Sequence, residues 1–140
     1  METVLNMREK ELEERQMEMA KILAALNAQR EKLKGIFDSQ DKNTKILEEL
    51  CTSDSLDITQ IESYRDYGIK LIADAKNQER IINNTENILK IKQKEVIQAH
   101  QKVEVLKKLK EKQEKEYYSD FLHAETKEID DITSARFRLN

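Results

Sequence analysis

The chain has 140 residues, of which 38% are charged and 5% aromatic, with two glycines, no proline and no tryptophan. This is the profile of a long helix or coiled coil, not of a domain with a deep core, and a net charge of −3 argues against a general nucleic-acid binder. Cys51 is the only cysteine, which excludes an internal disulfide and suits a reducing cytoplasm.

The first helix is expected from about Thr3 to Leu50. Its strict seven-residue repeat is Leu5, Leu12, Met19, Leu26, Leu33, Gln40, Leu47, which describes one seam laid against a partner helix. A companion position gives Arg8, Arg15, Ile22, Gln29, Ile36, Asn43 and Leu50, a half-polar seam. Gly35 lies inside the pattern at a cost of ~1 kcal/mol against alanine. The stripe continues past it. The start, Met-Glu-Thr-Val-Leu-Asn, has no basic region followed by an apolar run and is not expected to be a secretory signal.

A break is expected at 51–57, Cys-Thr-Ser-Asp-Ser-Leu-Asp, whose short polar side chains compete for backbone hydrogen bonds. Asp57 with Gln60 three residues later reads as a capping box opening a second helix. That helix is expected over about 58–135, with Ile61, Gly68, Ala75, Ile82, Leu89, Val96 and Val103 at heptad spacing, then Lys110, Tyr117 and Ala124. At ~1.5 Å per residue it would span on the order of 115 Å. Two long helices joined by a short link form an antiparallel hairpin. The expected fold is therefore all-α, a two-helix antiparallel coiled-coil hairpin with a longer, overhanging C-terminal helix, in one rod-like unit over 1–140.

With the turn centred near residue 54, seam meets seam: Leu47 with Ile61, Leu33 with Ala75, Leu26 with Ile82, Met19 with Leu89, Leu12 with Val96 and Leu5 with Val103. Gln40 falls opposite Gly68. The same register sets Leu50 against Ile58, Ile36 against Ile72, Gln29 against Glu79 and Arg8 against His100, while Ile22 opposite Glu86 is discordant. Near the turn Tyr64 and Leu71 also fit the companion seam, and Tyr67 sits off it. In this register the first helix runs out near residue 107. From about Lys108 the second continues alone, with ion-pair spacings Glu104–Lys108, Lys107–Glu111, Glu111–Lys115 and Lys112–Glu116. An apolar cluster at Tyr117, Phe121, Ala124 and Ile129 has no partner in the chain, which marks a binding surface.

Residues 36–75 carry four basic and nine acidic groups, and residues 76–115 eleven basic and six acidic. The lysines from Lys102 to Lys115 are either a solvated face or a dock for an acidic partner. His100 and His123 lie 23 residues apart with no cysteine nearby, which is no metal-ligand spacing. There is no phosphate loop and no nucleophile constellation, so neither an enzyme nor a cofactor is expected. No stretch approaches the ~18–20 apolar residues that span a bilayer, and direct membrane insertion is not expected.

Two blocks carry a resemblance over the whole chain. Tyr64-Arg-Asp-Tyr67-Gly-Ile-Lys-Leu71 resembles the aromatic-x-x-aromatic-x-x-x-leucine start of the second helix in the flagellar export protein FliJ family and its type III secretion stalk counterparts. Glu125-Thr-Lys127-Glu-Ile129-Asp130-Asp131, followed by Arg136-Phe137, resembles that family's E-x-K-x-[L/M]-D-E tail, with Asp131 where glutamate is usual. The resemblance implies a cytoplasmic protein, peripheral at the inner-membrane export apparatus, with a fold like the central stalk of rotary ATPases. The end bearing both termini would enter a hexameric export ATPase, through Lys108, Lys110, Lys112, Lys115, Tyr117, Phe121, Lys127, Ile129, Asp130 and Asp131. A second face, Tyr67, Leu71, Asp74 and Gln78, would meet the cytoplasmic domain of the export gate. Export chaperones would be further partners. The alternatives are a coiled-coil adaptor or chaperone-like hairpin with no ATPase partner, and a parallel homodimer, against which the turn and the pairing argue.

Overall fold

The structure, a computed structural model, describes residues 2–139. Helix α1 runs Glu2–Thr52 and helix α2 Ile58–Leu139. Together they form an all-α helical hairpin with the longer helix second, and there is no strand among the described residues. The turn shrinks to 53–57 because Thr52 stays helical, its hydroxyl donating back to Glu48 O at 2.9 Å. Asp57 caps α2: its Oδ1 accepts from Gln60 N at 3.2 Å, and its carbonyl accepts from Ile61 N at 3.0 Å. The return bond of a full capping box, from the Gln60 side chain, is not formed among the described residues. At its other end α2 runs past residue 135, where Arg136 and Arg138 in the last turn complement the negative end of the helix dipole.

The chain divides into two compact units, one over Glu14–Val96 and the other joining the residues up to Glu13 with those from Ile97 on. In the first, both heptad seams of α1 face inward. Leu26 is 1% exposed, Asn43 is buried, and Met19, Ile22, Leu33, Ile36, Leu47 and Leu50 are half-buried. On α2 the first seam is as expected from Ile61 through Ala75 and Ile82 to Val96.

The companion seam of α2 includes Tyr64 and Leu71 as expected, but not the residues that the pairing register named. It is Tyr64, Leu71, Gln78, Thr85 and Lys92, one residue earlier than equal spacing from the turn suggests. Ile58 and Ile72 are exposed, as is Glu79, so the expected pairs Leu50–Ile58, Ile36–Ile72 and Gln29–Glu79 do not form. The reason is the unequal step of a heptad. From layer to layer α1 advances by three and then four residues, while α2, running the other way, retreats by four and then three. Thr85 therefore replaces Glu86 at the level of Ile22, and Glu86 reaches sideways to Arg30 Nη2 at 3.2 Å.

Two amide layers interrupt this seam, besides the charged one at Lys92 and Arg15. Gln78 Nε2 donates to the Gln29 carbonyl at 3.0 Å, and Asn43 Nδ2 donates to the Tyr64 carbonyl at 3.1 Å. The residue that Gly68 accommodates is thus Asn43 rather than Gln40. A Cβ at position 68 would stand 2.9 Å from Asn43 Nδ2. Within a helix the Tyr64 carbonyl lies beside position 68, and the missing side chain opens it to a second donor. Gln29 Oε1 and Asn43 Oδ1 are buried without a partner. Such groups cost stability but distinguish one register from its neighbours.

In the second unit Leu5, Ala99 and Val103 are buried, and Leu12 and Leu106 half-buried. Lys110 Nζ meets Glu2 Oε1 at 3.2 Å. His100 is exposed and sits 4.0 Å from Glu104, while Arg8 bonds Glu11 at 3.0 Å, so the expected Arg8–His100 level is not a pair. From Glu111 through Arg138 every side chain is exposed. None of the four ion pairs expected from Glu104 to Glu116 is closed among the described residues; solvated lysine and glutamate gain too little to repay the entropy of holding one geometry.

Candidate partner-binding surfaces

Residues 111–138 form a helix surface that nothing in the chain covers. Of the residues assigned to the ATPase ring, Lys110 is half-buried against Glu2, while Lys108, Lys112, Lys115, Lys127, Asp130 and Asp131 are exposed to solvent. Tyr117 is 76% exposed, Phe121 52% and Ile129 62%. The expected cluster is not a single stripe. Tyr117 and Phe121 continue the line of Val103 and Lys110, whereas Ile129 lies about a quarter-turn away at 100° per residue. It lines up there with Tyr118, Leu122 and Ile132, also exposed. Tyr118, Leu122 and Ile132 fall off the hairpin heptad when it is extended past its end; with Ile129, their own spacing of three and four marks them. A shallow hollow beside Tyr118 and Leu122 is bordered by Glu111, Glu114 and Lys115.

The four residues assigned to the export gate share one face of α2 but differ in access. Leu71 and Gln78 lie in the seam, 5% and 4% exposed, with the Gln78 amide committed to α1. Tyr67 is 45% exposed and Asp74 is also exposed. Asp74 borders a hollow with Lys32, Ile36 and Asn77. A second hollow on this unit lies against Leu47, Gly68, Ile69 and Ile72, and in the other unit a cleft joins Val4 and Arg8 to Lys102, Val105 and Leu106. Neither was marked from the sequence, since single apolar residues outside a heptad carry no signal there.

Electrostatics add one ordered group. Glu18 accepts from Lys92 Nζ at 3.2 Å, and Lys92 also approaches Glu95 at 3.5 Å, with Arg15 closing on both carboxylates at 3.3 and 3.6 Å. The hydrogen bond from Lys92 holds the Glu18 carboxyl below the usual carboxylate range, and the same bond from Glu18 raises Lys92. All four groups are solvated, so the network fixes geometry more than it adds stability. Among the described residues there is no cluster that could hold a metal ion and no helix long and apolar enough to cross a membrane. Cys51 is exposed.

Compared with known families, residues 1–140 match the model described as "Flagellar FliJ protein". No curated protein and no solved structure matches the chain.

Proposed function

The chain belongs to the flagellar FliJ family, and on that premise we propose that it is the central stalk of a hexameric export ATPase. Family membership gives it a part in flagellar protein export, as a structural component rather than an enzyme. The finer reading is that the end carrying both termini enters the ATPase ring, promotes its assembly and raises its activity. The observation that carries this reading is the helix over 111–138, exposed along its whole length. A stalk needs a stiff tip whose side chains are unspent, and here Tyr117, Phe121, Ile129, Lys108, Lys112 and Lys115 are available to a ring interior, while Lys110 is held by Glu2.

In this reading the export gate is met through Tyr67 and Asp74. Leu71 and Gln78 hold that stretch against α1 from beneath. Export chaperones are further partners, and the protein works in the cytoplasm, peripheral to the inner-membrane export apparatus.

The test is ATP hydrolysis by the cognate export ATPase, with the full chain and with a chain ending at Glu116. Stimulation by the full chain and none by the shortened one is expected, with the shortened chain still helical because the segment removed packs on nothing. Equal stimulation by both would refute the stalk reading. A folded full chain with no effect would leave a coiled-coil adaptor without an ATPase partner.

A further inference from the structure

The apolar face of α2 changes at Lys110. Up to that residue the inward positions are Ala99, Val103, Leu106 and Lys110, stepping by four, three and four. The same stepping beyond it falls on Gln113, Tyr117, Asp120, Ala124, Lys127 and Asp131, a largely polar line. Tyr118, Leu122, Ile129 and Ile132 instead lie on a new line of steps four, three, four, three, with Glu125 as the polar member between Leu122 and Ile129. Carried outward by the same steps, this line begins at Glu111 and Lys115 and ends at Arg136. It is a strict, narrow seam, the width that one helix covers, and all of it is exposed.

Its charges choose the occupant. Paired in parallel with a copy of itself, the seam would set Glu111, Lys115, Glu125 and Arg136 each against the same residue, like charge on like. Paired antiparallel, with Tyr118 opposite the partner's Ile129 and Leu122 opposite the partner's Glu125, it sets Glu111 opposite the partner's Arg136 at both ends. In that register the flanking positions are also free of like-charge opposition: Phe121 faces the partner's Glu128, Glu114 the partner's Ala135, and Lys112 the partner's Thr133. Sliding the copies by one heptad, so that Lys115 faces the partner's Glu125, brings Glu114 against the partner's Glu128. We propose that the overhang is an antiparallel self-association surface, closed by a second copy of this chain through Tyr118, Leu122, Ile129 and Ile132 and locked in register by Glu111 and Arg136. The paired form withdraws the overhang from any other partner, so release of the second copy precedes engagement elsewhere. The proposal does not rest on the stalk reading, and its test contains no ATPase.

The test is sedimentation equilibrium of the full chain over a wide concentration range, with helix content followed by circular dichroism. A concentration-dependent monomer–dimer equilibrium is expected. Ile129→Asp should weaken it at least tenfold without loss of helix, since the side chain is exposed in the monomer. Glu111→Arg alone and Arg136→Glu alone should each weaken it several-fold. The double exchange, Glu111→Arg with Arg136→Glu, should restore it, because in an antiparallel pair each end again joins opposite charges. A chain that stays monomeric throughout would overturn the proposal and leave the seam to a helix of another protein. Dimers unmoved by Ile129→Asp, or a double exchange no tighter than the single ones, would overturn it as well.

Discussion

Gly35 and Gly68 are both interior to helices, and replacing each by alanine tests whether the Asn43 layer is a real constraint. At Gly35 an added Cβ meets nothing within 4 Å, so only backbone propensity changes and Gly35→Ala should stabilise by about 1 kcal/mol. At Gly68 the same gain is opposed. The new Cβ would stand 2.9 Å from Asn43 Nδ2, closer than such contacts allow, and the amide must move off the Tyr64 carbonyl. Asn43 is 5% exposed and its Oδ1 already lacks a partner, so losing the remaining bond leaves a buried donor unsatisfied at about 1–3 kcal/mol. Gly68→Ala should therefore range from neutral to about 2 kcal/mol destabilising, once the propensity gain is subtracted. Urea unfolding followed by helix circular dichroism, run side by side on both variants, measures the difference. A cycle with Asn43→Ala isolates the contact: in that background Gly68→Ala should stabilise as Gly35→Ala does. Equal stabilisation by the two alanines in the wild-type background would refute the argument.

On the face proposed to meet the export gate, Tyr67→Ala should weaken binding to the gate's cytoplasmic domain while leaving the unfolding free energy in urea within about 0.5 kcal/mol of wild type, as surface changes do. Leu71→Ala should behave the opposite way first, lowering stability by about 2–5 kcal/mol, and a Leu71→Ala chain as stable as wild type would contradict the burial assigned to it. For the Glu18–Lys92 pair, the folded Glu18 carboxyl titrates below its ordinary value of 4.5. Its contribution is therefore present above pH 4.5 and is lost as the pH falls through the lowered value. Lys92 is raised above 10.5, so its contribution is present below pH 10.5 and lost only in strong alkali. Lys92→Met should return the Glu18 titration, followed by carboxyl NMR, toward its ordinary range; an unmoved titration would show that the bond is not populated.

The hairpin was legible because its cause is periodic. Seven successive heptad positions on α1 and seven on α2 name the same seam from either helix, and Asp57 marks where the second begins. What failed to read through was the half-step between layers. Tyr64 and Leu71 fit the companion seam by their spacing, yet equal spacing from the turn named Ile72 opposite Ile36; both are apolar, and only the alternation of three and four decides for Leu71. Gly68 was given the wrong partner for the same reason: Gln40 lies on the first seam and looked like the polar intruder, yet the residue that reaches the opened Tyr64 carbonyl is Asn43, one step further on. Tyr67 and Asp74 were placed on a shared face with Leu71 and Gln78, which the helix geometry supports. Burial divides that face into a half that binds α1 and a half that does not, and burial depends on the partner helix rather than on the local pattern.

The change of face at Lys110 separates the two uses assigned to the overhang. Deleting Lys108 removes one residue from α2 and turns everything beyond it by about 100° relative to the preceding turns, which brings the Tyr118, Leu122, Ile129 and Ile132 line onto the continuation of the Val103–Leu106 seam. Self-association depends only on that line and on Glu111 and Arg136, all of which keep their mutual spacing. Its dimer constant, read by sedimentation, should stay within about threefold of wild type, a change of about 0.7 kcal/mol. In the stalk reading the ring meets particular faces of the tip, so the deleted chain should stimulate the ATPase less than wild type while its binding to the gate stays unchanged. Undiminished stimulation by the deleted chain would mean that the face the tip presents carries no information and that the overhang works as a simple tether. Loss of self-association would mean instead that the pairing includes residues before Glu111.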